Sequence, residues 1–180
     1  MIRNPDGAIA WWATLTPDRS AGRKGDRAAL ARLRRCATIA EAMQEPATIE
    51  LHRRCGAEHA ADLPAVALAA ATLAHLRRDR PGMPVARQIG PESPDRPETA
   101  RLKPLRFRRL LEAETPEEAM PAFRRLLSLA DGEANLRDLA HSLFRWTDQR
   151  HADTIRRDWI FAYWNADPVP AAEAPKEPAA

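Results

Sequence analysis

The sequence predicts an all-α protein, a helical bundle of two small lobes with roughly eight to nine helices. Two observations carry that expectation. Hydrophobic residues fill 44% of the 180 positions, enough for a core, and most are Ala or Leu with few β-branched residues, which favours helix over sheet. Apolar residues also recur at i, i+3 and i+4 between capping residues, prolines and glycines, which is the period of an amphipathic helix. The fullest case is a pair of Phe-Arg-Arg-Leu-Leu units, Phe107 to Leu111 and Phe123 to Leu127, separated by Thr115-Pro116-Glu117-Glu118. Each unit lines up Phe, Leu and Leu on one stripe and leaves its arginines on the flanks.

In chain order, Pro5-Asp6-Gly7 leads into a short helix, Ala8–Leu15, that carries Trp11 and Trp12 and stops at Thr16-Pro17-Asp18. Arg19–Gly25 is a basic, glycine-containing loop. Asp26 caps a helix to about Cys36 whose apolar arc is Ala29, Leu30, Leu33 and Ala37, with Arg27 and Arg34 on the other side. Thr38–Glu45 adds a turn or two. Pro46 starts Ala47–Cys55, and Gly56 ends it. Asp62-Leu63-Pro64 opens a buried helix, Ala65–Arg78, which closes the first lobe at residue 78.

From 79 to 98 the prolines at 81, 84, 91, 94 and 97 predict a loop or linker between lobes. The second lobe, 99–164, holds four helices. Pro104–Ala113 comes first. Thr115-Pro116-Glu117-Glu118 then supplies a cap, a first-turn proline and an acidic first turn for a helix to about Ala130. Asn135 caps the third, to about Trp146, with Leu136, Leu139, Ala140, Leu143 and Phe144 as its stripe. The last runs from about Asp153 to Trp164. The Ala/Pro/Glu-rich tail, 165–180, is expected to be disordered.

Net charge is +3 with a pI near 9.3, a mild excess that says little on its own. Its distribution says more. Between Arg19 and Arg35 seven basic residues face one acidic residue, Asp26, and Arg101 to Arg109 holds five basic residues and no acid. Arginine dominates lysine, which suits bidentate phosphate contact. Cys36 and Cys55 make no disulfide framework and have no CxxC spacing, which points to a reducing, cytoplasmic setting. No signal peptide is evident, and the longest apolar run, Leu63 to Leu76, is interrupted and too short for a bilayer, so no membrane partner is expected.

Catalytic and metal readings find little support. His52, Cys55, Glu58 and His59 could converge on one helix around zinc, but Gly56 breaks that helix and no fourth ligand follows, so no metal and no cofactor is expected. No P-loop, GxGxxG or GxSxG occurs, and His141 and His151 have no nucleophile pattern. The five tryptophans lie on or beside apolar stripes and read as core, with Trp12 the candidate for a partner chain. What remains is the basic set: Lys24, Arg27 and Arg34; Arg101, Lys103, Arg106, Arg108 and Arg109; then Arg124, Arg125, Arg145, Arg150, Arg156 and Arg157. Such a set supports binding to a phosphate backbone without reading of bases. A helical DNA-binding regulator is the alternative; it needs polar base-reading residues on a recognition helix, where these outer faces offer mainly Arg and Glu.

These residues also resemble a family. Trp11 to Leu15 followed by Gly25-Asp26-Arg27 and the helix to Arg35 looks like the opening of the CasB family, the small subunit of the type I-E CRISPR Cascade complex. Arg106-Phe107-Arg108-Arg109-Leu110-Leu111 with its acidic turn resembles the family's central signature, as do Asn135 to Trp146 and Ile155 to Tyr163. The resemblance spans about residues 8 to 164. Pro104-Leu105 departs from it, standing where charged residues are expected, and 79–98 has no counterpart.

The resemblance implies an all-α, non-enzymatic subunit. Two copies sit head to tail in a complex with a guide RNA and other Cascade subunits. Their basic surface lines the target and displaced DNA strands and steadies the R-loop, while a separately recruited nuclease-helicase cuts. It places DNA contacts on Lys24 and Arg27, on Arg106 and Arg109, on Arg125 and on Arg150; Arg101 and Lys103 join them on charge alone.

Overall fold

A computed structural model describes residues 2–18 and 22–166, and ten α-helices supply most of its regular structure. They are α1 (Gly7–Leu15), α2 (Arg27–Arg35), α3 (Ile39–Gln44), α4 (Pro46–Arg54), α5 (Leu63–Leu73), α6 (Val85–Ile89), α7 (Pro104–Leu111), α8 (Pro116–Leu129), α9 (Leu136–Trp146) and α10 (Ala152–Tyr163). Two dipeptide strands, β1 (Arg78–Asp79) and β2 (Glu133–Ala134), pair in parallel. The all-α class follows the composition. Among the described residues no helix is long and apolar enough to cross a membrane.

α5 is the axis of the bundle. Every residue from Val66 to Leu73 is buried, because the helix is apolar all round and its alanines let neighbours approach closely. It packs against α2, α3 and α4 on the N-terminal side and against α8 and α9 on the C-terminal side. One hydrophobic core therefore runs through both halves of the chain.

The caps explain where the helices start. The Asp26 carboxylate accepts from Ala29 N–H at 2.9 Å, and Asn135 Oδ1 accepts from Asp138 N–H at 3.1 Å. Thr115 and Glu118 form a reciprocal capping box at α8, satisfying N–H groups that the first turn leaves free. The three backbone and hydroxyl donors on the exposed Glu118 carboxylate hold its pKa below the usual range.

Two expectations from the sequence need correction. The helix expected to reach Arg78 ends at Leu73, because the following chain is drawn into β1: Arg77 N–H and Arg78 N–H both donate to Gly132 O, at 2.7 and 3.2 Å. The segment read as a loop or linker holds α6, whose Val85, Ala86 and Ile89 are buried against α10. Five prolines mask the short apolar arc between Pro84 and Gly90. That segment is also tied down by polar contacts. Val85 N–H donates to Asp138 Oδ2 at 2.7 Å, Gln88 Nε2 to Glu133 O at 2.8 Å, and Leu102 N–H to Ile89 O at 3.0 Å. Gly90 has to be glycine, since a Cβ there would overlap the Tyr163 carbonyl oxygen at the end of α10.

The C-terminal core is aromatic. Phe123, Trp146 and Trp159 meet pairwise edge to face, with centroids 4.9, 5.5 and 5.1 Å apart, the arrangement that ring quadrupoles favour. Their indole N–H groups are satisfied: Trp146 donates to Ala113 O at 3.1 Å and Trp159 to Ser142 Oγ at 2.8 Å. Trp11, Trp146 and Trp159 are thus core residues, while Trp12 and Trp164 are half-buried. Of the tail expected to be disordered, residues 167–180 lie outside the described residues.

Candidate nucleic-acid interface

The eight basic residues singled out from the sequence are all exposed. Lys24 precedes α2 and Arg27 opens it, and both line a cleft of about 530 Å³ with Pro17 and Arg23. Gly25 makes that loop possible: its φ is +62°, and a Cβ would lie 2.5 Å from Leu15 O. Arg101 and Lys103 lead into α7, where the Lys103 ammonium donates to Glu98 O. On α7 itself Phe107 and Leu110 face inward, so the helical period turns Arg106, Arg108 and Arg109 outward. Arg125 lies on the open side of α8. Arg150 lies in the turn between α9 and α10, lining a second cleft of about 820 Å³ with Arg145, His59 and His151.

These positions form separate groups. Arg101, Lys103, Arg106 and Arg109 belong to one continuous stretch, Lys24 and Arg27 to another, and no hydrogen bond or ion pair joins the groups among the described residues. What the eight share is electrostatic. None forms a side-chain ion pair with a described carboxylate, although Arg150 sits beside Asp148, which accepts its backbone N–H at 3.0 Å, whereas Arg3, Arg23, Arg32, Arg54, Arg78 and Arg96 each reach one at 2.7–3.1 Å.

Three arginines of the wider basic set turn out to be structural. Arg34 Nε donates to Ala74 O at 2.6 Å. The Arg156 guanidinium reaches Ala113 O and Trp146 O at 3.0 and 3.3 Å and lies 5.6 Å from the Trp146 ring centroid. Arg124 donates to Cys36 O at 2.7 Å, Leu33 O at 3.1 Å and Ala71 O at 3.3–3.4 Å. It thereby closes the last turns of α2 and α5, where carbonyls lack helical partners. The sequence held a signal for this: Arg124 is four residues after Met120 and three before Leu127, both buried, so it lies on the inner stripe. Arg108, Arg145 and Arg157, by contrast, stay exposed and without a carboxylate partner.

Burial and the arginines around it act together on His75. Its Nε2 is buried without a hydrogen-bond partner. Desolvation first, then the charges of Arg124, Arg34 and Arg77, lower its pKa from 6.5 to about 4. The unfolded chain therefore takes up a proton near pH 6.5 that the native chain refuses until about pH 4. That proton favours unfolding as pH falls through this window. Urea unfolding at pH 7 and pH 4.5 checks this: His75→Gln is expected to lose less stability between the two than the wild type does.

The sequence cluster considered for zinc divides between core and surface. Cys55 is fully buried, its thiol pushed up to about 12 by desolvation, while His59 is exposed and its backbone carbonyl meets the His52 ring nitrogen at 3.3 Å. Among the described residues no three His, Cys, Asp or Glu side chains are placed to hold a metal.

Residues 29–164, from within α2 to the end of α10, match the family model of CRISPR-associated protein Cse2. No curated protein and no solved structure matches the chain. Trp11, Trp12, Lys24 and Arg27 precede the matched span, whereas α7, α8, α9 and α10 with their basic residues lie inside it. The order of helices, the central arginine motif and this match agree: the chain belongs to the Cse2 family, the CasB small subunits of the type I-E CRISPR Cascade complex.

Proposed function

We propose that this chain is a non-catalytic subunit that grips the target and displaced DNA strands of an R-loop by their phosphates. It does so in the cytoplasm, within a guide-RNA complex that includes other Cascade subunits and a second copy of itself. The observation that carries this reading is the contrast among its cations. Lys24, Arg27, Arg101, Lys103, Arg106, Arg109 and Arg125 are exposed with no described carboxylate on them, and Arg150 is exposed beside Asp148, whereas arginines such as Arg32 and Arg78 are bridged and Arg124 is turned inward. An unpaired guanidinium gives up only counterions and water when it meets a phosphate, so it adds affinity where a bridged one would first have to break its bridge.

Backbone contacts of this kind carry no base sequence, which leaves sequence reading to guide pairing. They matter because strand exchange in an R-loop is close to balanced, so modest contacts to either strand shift it.

The test is a salt titration of binding to random single- and double-stranded DNA. Charge reversal of Arg106 and Arg109 to Glu is expected to weaken binding and reduce the logarithmic salt slope by about 2, with thermal stability nearly unchanged. An unaltered slope would remove α7 from the interface. A collapse of stability would make the two arginines structural.

A further inference from the structure

The larger cleft gathers more than the one cation that strand binding uses. Its walls come from four separate stretches: the chain before α1, the approach to α5, the α7–α8 turn and the α9–α10 turn. At about 820 Å³ it falls within the roughly 300–1,000 Å³ of small-molecule sites. Two of those walls are pinned together. Ala113 O, one residue before Glu114, accepts from Trp146 Nε1 at 3.1 Å and from Arg156 Nη2 at 3.0 Å. The cleft is a fixed feature of the fold.

Its charges are sorted by wall. Arg145, Arg150 and His151 stand on the α9–α10 side, Glu114 on the α7–α8 turn and Asp62 just before α5. The carboxylate among the cations, Asp148, is already engaged: Oδ2 lies 2.8 Å from His151 Nδ1, and Oδ1 accepts the Arg150 N–H at 3.0 Å. Its hydrogen bonds hold Asp148 ionised, with its pKa lowered, so Nδ1 is the donor of that pair and the imidazole is oriented by it. Arg145 is exposed, and neither its guanidinium nor the Glu114 carboxylate has a partner among the described residues. Pro64, Pro116 and Phe144 supply apolar surface.

Resting in part on the strand-binding reading above, since Arg150 serves both, we infer that this cleft takes a single unpaired nucleotide. Its phosphate lies against Arg145, Arg150 and His151, its base on the apolar surface, and an exocyclic amino group of the base donates to Glu114. Charge decides the occupant. Asp62, Glu114 and Asp148 together oppose a run of phosphates, so the cleft is a poor groove for a polyanion. One anionic group joined to a flat apolar body that carries N–H donors satisfies both walls. The Arg150 wall already belongs to the strand-binding surface, which sets a nucleotide ahead of a peptide. Cytosine, adenine and guanine carry such an amino group and thymine does not, so the site disfavours thymidylate. It senses one group at one position and leaves the sequence to guide pairing.

The experiment titrates the full chain with deoxycytidylate, thymidylate and inorganic phosphate and follows the NMR shifts of residues 145–151. Deoxycytidylate is expected to bind about tenfold more tightly than thymidylate, and inorganic phosphate more weakly than either. Glu114→Ala is expected to bring deoxycytidylate down to the thymidylate level and leave thymidylate unchanged. Arg145→Ala is expected to weaken both nucleotides about tenfold. Both side chains are exposed, so melting temperatures within about 2 °C of wild type confirm that the variants fold. Equal binding of all three probes marks an adventitious ion only and overturns the inference, as does a nucleotide preference that Glu114→Ala leaves intact. Unmoved shifts with poorer retention of Arg145→Ala in the assembled complex overturn it in favour of a protein contact. If no probe binds while random DNA does, only the cleft fails; if random DNA fails to bind as well, the strand-binding reading fails with it.

Discussion

Arg124→Ala is expected to destabilise the protein by about 3–4 kcal/mol, because three backbone carbonyls lose a charged donor at one stroke. For a chain of this size that corresponds to a melting temperature lower by roughly 10 °C. Arg125→Ala, one residue on, is expected to leave the melting temperature within about 2 °C, as an exposed substitution should, while lowering DNA affinity. Thermal unfolding of the two variants, set beside their binding, checks both halves. Arg124→Lys should recover only a fraction of the loss, since one ammonium cannot span Leu33, Cys36 and Ala71 as a planar fork does. Desolvation already lowers the Arg124 pKa, so the guanidinium is held there at some cost by those carbonyls. Equal and small effects from Arg124→Ala and Arg125→Ala would mean that the fork is not what closes α2 and α5.

This pair also shows how far the sequence could be read. The all-α class, the capping roles of Asp26, Thr115 and Asn135, and the first-turn prolines Pro104 and Pro116 were legible, because each rests on residues within a few positions of one another. Outward placement of Arg106 and Arg109 was legible for the same reason: Phe107 and Leu110 fix the phase of α7. What was hidden depends on contacts distant in sequence. Arg124 is inward because carbonyls 53 to 91 residues away need a donor. α6 was lost among prolines because its three buried residues only acquire meaning against α10. The strand at Arg78 exists because Gly132 comes alongside. Phe161, 54% exposed on α10, has the same origin: an apolar position on a helix reads as core until the packing leaves it outside.

Trp146→Ala is expected to cost about 4–5 kcal/mol, a large share of the 5–15 kcal/mol that holds an ordinary domain together. The indole is fully buried and touches Phe123 and Trp159 edge to face, so truncation removes core volume and both ring contacts. Urea unfolding is the measurement, and a loss below about 2 kcal/mol would show that the cavity collapses around the neighbouring rings. Trp146→Phe makes a sharper argument. It keeps an aromatic ring but removes the N–H to Ala113 O. That oxygen also accepts from Arg156 Nη2 at 3.0 Å, so it is not orphaned, and the expected cost is only about 1–2 kcal/mol. Arg156→Met alone likewise leaves Ala113 O with its indole donor. Combining the two strips the carbonyl of both, so the double variant is expected to fall below the sum of the singles by about 1 kcal/mol or more. Strict additivity would show that Trp146 and Arg156 act independently. Because the direct contact of Arg156 with the Trp146 ring would couple the pair in the opposite sense, an extra loss in the double variant would identify Ala113 O as the shared acceptor through which the end of α7 is anchored to α9 and α10.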